Sequence, residues 1–133
     1  MKKEQIDKIG FGIIILTIIL LNIFIGSNIK QPIWIIQAIV SIYTIIYLII
    51  GKINKNDKLI IKNRIDILVL LFMISTTIPL LLGKQISIDG SVNFILKYWA
   101  VYGFYILIKN IITNEKRREI LINTIIISSL ITI

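Results

Sequence analysis

Five apolar runs separated by short polar segments account for most of the chain. They cover residues 9–25, 33–50, 65–82, 92–108 and 120–133. The first four approach the ~20 apolar residues that a helix needs to cross a bilayer. Because the runs are continuous and do not alternate between apolar and polar positions, they predict helices rather than strands. The expected fold is therefore all-α: a polytopic membrane helical bundle of about four complete transmembrane helices plus a truncated fifth, in a single transmembrane region over residues 1–133.

The composition agrees with a lipid environment. Hydrophobic residues make up 56% of the 133 positions, and the mean hydropathy is +0.90. Isoleucine, which has only middling helix propensity in water, supplies much of this apolar content. Inside a bilayer the backbone must satisfy its own hydrogen bonds, so the weak intrinsic preference does not count against helices. Membrane lipids are accordingly the first partners that we expect.

Both ends of the chain support a specific expectation. Residues 1–8 form a charged leader, as in a secretory signal, but the following run ends in NIFIGSNIKQP and lacks the small residues of a cleavage site. The sequence therefore favours an uncleaved first helix. The last run reaches only about 21 Å as a helix, whereas the hydrocarbon core is roughly 30 Å thick. We therefore expect the chain to be the N-terminal fragment of a longer protein.

Basic residues alternate between the segments that flank the runs. From the N-terminus onward, successive segments hold three, one, five, one and four lysines or arginines. Because short loops rich in these residues stay in the cytoplasm, the N-terminus, residues 51–64 and residues 109–119 are expected inside and the two other links outside. Within the first of these loops, residues 59–61 form either a short amphipathic turn in the headgroup plane or part of a solvated loop.

Several classes of function lack the residues that they require. The chain contains no cysteine and no histidine, and its seven acidic residues are scattered. A thiolate metal site and a histidine general base are therefore excluded, and no other metal site is expected. The net charge of +8 is distributed over the loops and forms no single soluble basic face, so nucleic acid is not an expected partner. We predict no cofactor, no metal and no recognisable catalytic residue.

The fourth run carries the candidate site. Lys97 lies about five residues inside this run, and Asn93 and Ala100 share its helical face. Three interpretations are open for this lysine: its long side chain reaches the membrane interface, it forms a structural hydrogen bond, or it faces the bundle interior and meets an anionic ligand. The third interpretation makes Lys97 and Asn93 candidates for contact with a lipid phosphate or another substrate.

Polar side chains also mark the second and third runs. Gln37, Ser41 and Thr44 recur on one helical face, which is typical either of a contact between helices or of a substrate groove. Residues 75–77, with the sequence STT, precede Pro79, whose ring removes a helical hydrogen bond and predicts a kink. The favoured interpretation of the three hydroxyl groups is structural: they bond to the carbonyl that the proline leaves free.

The second half of the chain resembles a family of bacterial membrane proteins. The resemblance rests on IDILVLLFMISTTIPLLLG, a short outer turn, SVNFILKYWAVYGFYILIKNII and the basic KRRE connector, over residues 65–133. These features are similar to the N-terminal region of the O-antigen ligase and polymerase superfamily. The resemblance implies a glycosyltransferase of the bacterial cytoplasmic membrane that moves a glycan from an undecaprenyl diphosphate carrier at the outer face, without a metal. The family's essential arginines and histidine lie largely in later external loops, so none of its catalytic residues is placed in this chain.

Two further hypotheses belong to other classes of protein. The helices can be the first helices of a polysaccharide flippase or another transporter. In that case more spans with short loops and intramembrane charges are expected. They can also form a small structural membrane protein. The sequence after residue 133 distinguishes the three hypotheses. A long external loop with arginine and histidine supports the enzyme, many short-looped spans support the transporter, and an immediate stop supports the structural protein.

Overall fold

The computed structural model describes residues 3–26, 30–54, 59–82 and 88–131. These residues form five helices and no strand. In chain order the helices are α1 (Lys3–Gly26), α2 (Lys30–Ile53), α3 (Arg64–Leu82), α4 (Ile88–Ile111) and α5 (Glu115–Ile131). The prediction of an all-α fold is confirmed. Over the described residues, each apolar run lies in a helix of its own.

Several helices begin well before the apolar run that predicts them. In α1 the polar leader continues the helix, and Glu4 and Lys8 form an ion pair of 3.0 Å one turn apart. α5 begins at Glu115, directly after Asn114, whose carbonyl accepts the N–H of Arg118 at 3.1 Å. Charged residues such as lysine, arginine and glutamate are good helix formers, so both helices extend into polar sequence.

α1, α2 and α4 enclose the main core. The hydroxyl of Tyr43 on α2 donates a hydrogen bond of 2.7 Å to the carbonyl of Ile6 on α1. α5 packs against α1, where the Nδ2 of Asn22 donates to the Oγ of Ser128 at 2.6 Å. Buried aliphatic side chains fill the centre of this core: Ile14, Val40, Leu107 and Ile111.

α3 lies at the side of this core. Among the described residues, its backbone comes within 8 Å (Cα to Cα) of α4 and of no other helix. A smaller apolar cluster joins these two helices and contains the buried residues Met73, Tyr102 and Ile106. Pro79 lies inside α3, as the sequence predicts. The arrangement leaves a cleft between α2 and α3, with α4 as its floor.

The segment before α3 is not helical over residues 59–63. Leu59 is buried and packs against Gly51 of α2, so its side chain is directed into the protein. Ile60 and Ile61 remain exposed. The segment is therefore a loop with one apolar anchor rather than a helical turn.

Two helices are long and apolar enough to cross a membrane. Among the described residues, the qualifying segments are Glu4–Phe24 of α1 and Ile33–Ile53 of α2, with mean hydropathies of 2.1 and 2.3. In each case only 22% of the most apolar stretch of the segment is buried inside the protein. α3, α4 and α5 are not among the qualifying segments, so the all-α fold is confirmed but the expectation of four complete spans is not.

Candidate functional site

α2 and α4 run in the same direction, and Asn93 and Lys97 of α4 lie against α2. Near the beginning of both helices, Trp34 and Gln37 line one groove with Lys97. Further along, Thr44 meets Gly103. Because the contacts follow the same order on both helices, the helices are parallel.

This groove, which we call the Lys97 groove, has a volume of about 320 Å³. Asn93 and Lys97 lie one turn apart in it, and both side chains are exposed. Lys97 has no ion-pair partner and no hydrogen-bond acceptor among the residues that the structure describes. The complete lining consists of Ile33, Trp34, Gln37, Gly90, Asn93, Phe94 and Lys97.

The Lys97 groove combines a cation with neutral hydrogen-bond donors and apolar walls. The ammonium of Lys97 has three N–H donors, and the carboxamides of Gln37 and Asn93 each have two. Such donors form charge-assisted hydrogen bonds with phosphate oxygens. Trp34 and Phe94 provide apolar surface in the same groove. The arrangement can hold a phosphate group that is attached to a hydrocarbon.

A smaller cavity of about 90 Å³ lies further along α2 and α4 and is also lined by α1. Gln37 lines both spaces, and Ala100, which the sequence places on the face of Lys97, lines the smaller one. Apart from Thr17 and Gln37 the lining is apolar: Leu21, Ile36, Val40, Ala100, Val101 and Phe104. An apolar space therefore lies beside the polar groove, with Gln37 in the lining of both.

The polar stripe on α2 serves two purposes. Gln37 lines the Lys97 groove, whereas Thr44 is buried and lies against Gly103, where the absence of a side chain lets α2 and α4 approach closely. The hydroxyl groups of Ser41 and Thr44 donate to the carbonyls of Gln37 and Val40 at 2.8 and 2.7 Å. The expectation of a helix contact is confirmed for Thr44. The groove interpretation stays open, because Gln37 lines the Lys97 groove while Ser41 and Thr44 line the cleft between α2 and α3.

The hydroxyl groups of residues 75–77 bond within α3. They donate to the carbonyls of Phe72 and Met73 at 2.7 to 2.9 Å, one turn earlier in the helix. They therefore do not donate to the carbonyl that the proline leaves free, and that sequence-based expectation is wrong. Thr77 also accepts a hydrogen bond of 3.2 Å from the indole N–H of Trp99, which links α3 to α4.

A second polar cluster lies toward the end of α4, and the sequence analysis did not identify it. Asp66, in the first turn of α3, is only 2% exposed. Its carboxylate forms an ion pair of 3.0 Å with Lys109 and accepts the hydroxyl of Tyr105 at 2.6 Å. It also accepts the backbone N–H groups of Lys62 and Asn63 at 2.6 and 3.0 Å. A buried charge is tolerated only when it is paired and hydrogen-bonded in this way.

We call Asp66, Tyr105 and Lys109 the Asp66 clamp. Besides its ion pair, Lys109 donates to the carbonyl of Ile60 at 2.7 Å. The adjacent Asn110 donates to the carbonyl of Leu59 at 2.9 Å. The end of α4 therefore holds both the loop before α3 and the first turn of α3. Because the carboxylate already has a lysine partner, the clamp is suited to fixing these elements rather than to binding an anion.

Part of this cluster has a signal in the sequence. Asn63 and Asp66 have the spacing of a capping box, in which an acidic residue bonds back to the N–H of the helix cap. Tyr105 and Lys109 are four residues apart and thus share a helical face. What the sequence does not contain is the contact between these two pairs, because it depends on how α3 and α4 pack.

The described residues contain no group of three or more histidine, cysteine, aspartate or glutamate side chains that could hold a metal ion. No protein-family model, curated protein or solved structure matches the chain. The functional interpretation therefore depends on the geometry of the chain itself.

Proposed function

We propose that the chain is a multi-pass protein of the bacterial cytoplasmic membrane, with its N-terminus inside. We further propose that it forms the N-terminal part of an O-antigen ligase/polymerase-like glycosyltransferase. In this proposal the enzyme acts on an undecaprenyl-diphosphate-linked glycan at the outer face of the membrane. The observation that carries the proposal is the Lys97 groove, where an ammonium without a partner among the described residues shares the lining with two carboxamides and with apolar side chains.

The distribution of apolar surface supports a membrane location. Large aliphatic side chains are exposed on three helices, for example Ile35 at 63%, Leu68 at 66% and Val101 at 62%. Soluble monomers rarely expose contiguous apolar patches larger than a few hundred Å². In water each Å² of this surface would cost about 25 cal/mol, a cost that lipid removes.

The positions of the polar clusters support the proposed orientation. The Lys97 groove lies near the beginning of α2 and α4, next to the links that contain few basic residues. The Asp66 clamp lies toward the other end of α4, next to the loops rich in lysine and arginine. Under the positive-inside rule the groove then opens toward the outer face, where a lipid-linked glycan would be used.

The proposal is tested by removing the charge of Lys97 from the full-length protein. Transfer of glycan from a polyprenyl diphosphate donor is measured in membranes, at matched expression, for the wild type and for Lys97→Met. A charge-assisted hydrogen bond contributes about 1.5–3 kcal/mol, so we expect a loss of roughly tenfold or more.

Lys116→Met is the matched control, because Lys116 is exposed at the start of α5, away from the groove. It should leave transfer unchanged. Unchanged transfer in Lys97→Met would remove this lysine from the site. Absence of any transfer by the wild-type protein would contradict the assignment as a glycosyltransferase.

A further inference from the structure

The segment that leads into α3 exposes aliphatic and cationic side chains next to each other. Ile60 and Ile61 are 41% and 44% exposed, and the side chains of Lys62 and Arg64 are exposed as well. Neither the ammonium of Lys62 nor the guanidinium of Arg64 has an ion-pair or hydrogen-bond partner among the residues that the structure describes. We call residues 60–64 the basic loop.

The exposed surface of the basic loop carries charge of one sign. Between residues 59 and 66 the one acidic side chain is Asp66. It is 2% exposed, and its carboxylate is paired with the ammonium of Lys109 at 3.0 Å. The negative charge is therefore neutralised inside the protein, whereas Lys62 and Arg64 present positive charge beside two isoleucines. Such a surface is complementary to an anionic layer that has hydrocarbon beneath it.

Backbone polar groups of this segment are bonded within the protein. The carbonyls of Leu59 and Ile60 accept hydrogen bonds of 2.9 and 2.7 Å from side chains of α4. The N–H groups of Lys62 and Asn63 donate to the buried carboxylate of Asp66 at 2.6 and 3.0 Å. Backbone groups leave water at low cost only when they have partners of this kind. The four bonds also hold the loop in one conformation, so docking orders little that is not already ordered.

We propose that the basic loop docks on the anionic phospholipid headgroups of the inner leaflet. Ile60 and Ile61 enter the boundary between headgroups and acyl chains, where aliphatic side chains are removed from water. Lys62 and Arg64 bind the phosphate groups of the lipids through charge-assisted hydrogen bonds. This inference rests on the proposed membrane location, with the beginning of α3 inside, and is independent of glycan transfer.

Spin-labelled lipids measure this contact directly. A single cysteine replaces Ile65, which is 64% exposed next to the basic loop, and carries an environment-sensitive fluorophore. The full chain is placed in phosphatidylcholine nanodiscs with a small fraction of phosphatidylglycerol or phosphatidylcholine that bears a nitroxide on the upper acyl chain. Each cation near an anionic surface contributes roughly fivefold in affinity. We therefore expect labelled phosphatidylglycerol to quench the fluorophore several-fold more strongly than labelled phosphatidylcholine.

Charge variants in this background examine the two cations. Lys62→Gln with Arg64→Gln should make the two labelled lipids quench equally. Lys62→Arg with Arg64→Lys exchanges the cations and should retain the preference for phosphatidylglycerol, which separates loss of charge from loss of folding. Lys116→Gln with Arg118→Gln is the matched control, because it removes one lysine and one arginine at exposed positions of α5. It should behave like the parent.

Ile60→Ser with Ile61→Ser examines the insertion of the loop. Without the aliphatic side chains the loop should withdraw toward water. Quenching by both labelled lipids should therefore fall, while phosphatidylglycerol stays the stronger quencher. Unchanged quenching by both lipids would contradict the insertion of the isoleucines.

Equal quenching by the two labelled lipids in the parent protein would overturn the proposal. A preference for phosphatidylglycerol that survives Lys62→Gln with Arg64→Gln would also overturn it, because other cations would then attract the lipid. A chain that does not enter nanodiscs contradicts the membrane location. A chain that enters them without a preference contradicts the docking surface alone, and glycan transfer affects none of these measurements.

Discussion

Tyr102 and Tyr105 show how much the surroundings of a single hydroxyl group matter. Their rings are stacked with centroids 6.3 Å apart. Tyr105 donates its hydrogen to the carboxylate of Asp66, whereas the hydroxyl of Tyr102 is buried without a partner among the described residues. An unsatisfied buried polar group lowers stability by about 1–3 kcal/mol, while a hydrogen bond to a charged group contributes about 1.5–3 kcal/mol. The two tyrosines should therefore respond differently to the same substitution.

The matched variants Tyr102→Phe and Tyr105→Phe test this difference. Tyr102→Phe should leave the free energy of unfolding unchanged or raise it by up to about 1 kcal/mol. Tyr105→Phe should lower it by about 1.5–3 kcal/mol, because the carboxylate loses a donor. Thermal unfolding in detergent measures both. Equal destabilisation by the two substitutions would contradict the assigned hydrogen bonds.

Removing the charge of Asp66 should have a larger effect. In Asp66→Asn the ammonium of Lys109, whose side chain is 15% exposed, loses its anionic partner. Breaking a buried ion pair from one side costs about 3–5 kcal/mol. Glu119→Gln is the control at an exposed position and should be neutral.

A double variant examines the coupling between the two charges. Adding Lys109→Met to Asp66→Asn removes the uncompensated cation, so part of the lost stability should return. Additive losses in the double variant would show that the two residues do not act as a pair. Unfolding is again followed in detergent.

At the scale of the helices, the contact between α2 and α4 defines the architecture. A methyl group at Gly103 would lie 2.9 Å from the Oγ1 of Thr44, closer than ordinary van der Waals contact. The helices therefore pack at a distance that only glycine permits. Thr44 and Gly103 also line the cleft between α2 and α3, so this cleft depends on the contact.

Gly103→Ala should lower the free energy of unfolding by about 1–3 kcal/mol through overpacking. The same substitution at Gly12, where an added methyl group meets nothing within 4 Å, should be neutral or raise stability by up to about 1 kcal/mol. Thr44→Ala combined with Gly103→Ala should recover part of the loss, because the crowding oxygen is gone. Thermal unfolding of the four proteins, wild type included, decides the point. A stable Gly103→Ala protein would contradict the close approach.

The order of the helices could be predicted from the sequence, but their ends could not. Each apolar run is long enough to require a helix, and this requirement holds whatever the runs pack against. The ends depend on polar flanks such as the pair Glu4 and Lys8, which favour helix on their own and carry no apolar signal. Hydropathy therefore places the helix ends at the ends of the apolar runs, which lie inside the observed helices.

At the scale of the whole molecule, the sequence predicted which α4 residues form the candidate site but not which residues of other helices they meet. The helical period places Asn93 and Lys97 on one face, and the structure puts both in one groove. Long isoleucine-rich runs offer many equivalent packing faces, so nothing local specifies that this face meets Trp34 and Gln37. The Asp66 clamp was missed for the same reason, because it joins residues of two separate helices.

The central claim is that the helices cross the membrane with the Lys97 groove outside and the N-terminus inside. The chain contains no cysteine, so single cysteines can be introduced at Gly90, beside the groove, and at Asn114, between α4 and α5. Intact cells are treated with an impermeant maleimide. We predict labelling of Gly90→Cys, and labelling of Asn114→Cys only after the membrane is opened. Labelling of Asn114→Cys in intact cells, with Gly90→Cys protected, would contradict the account.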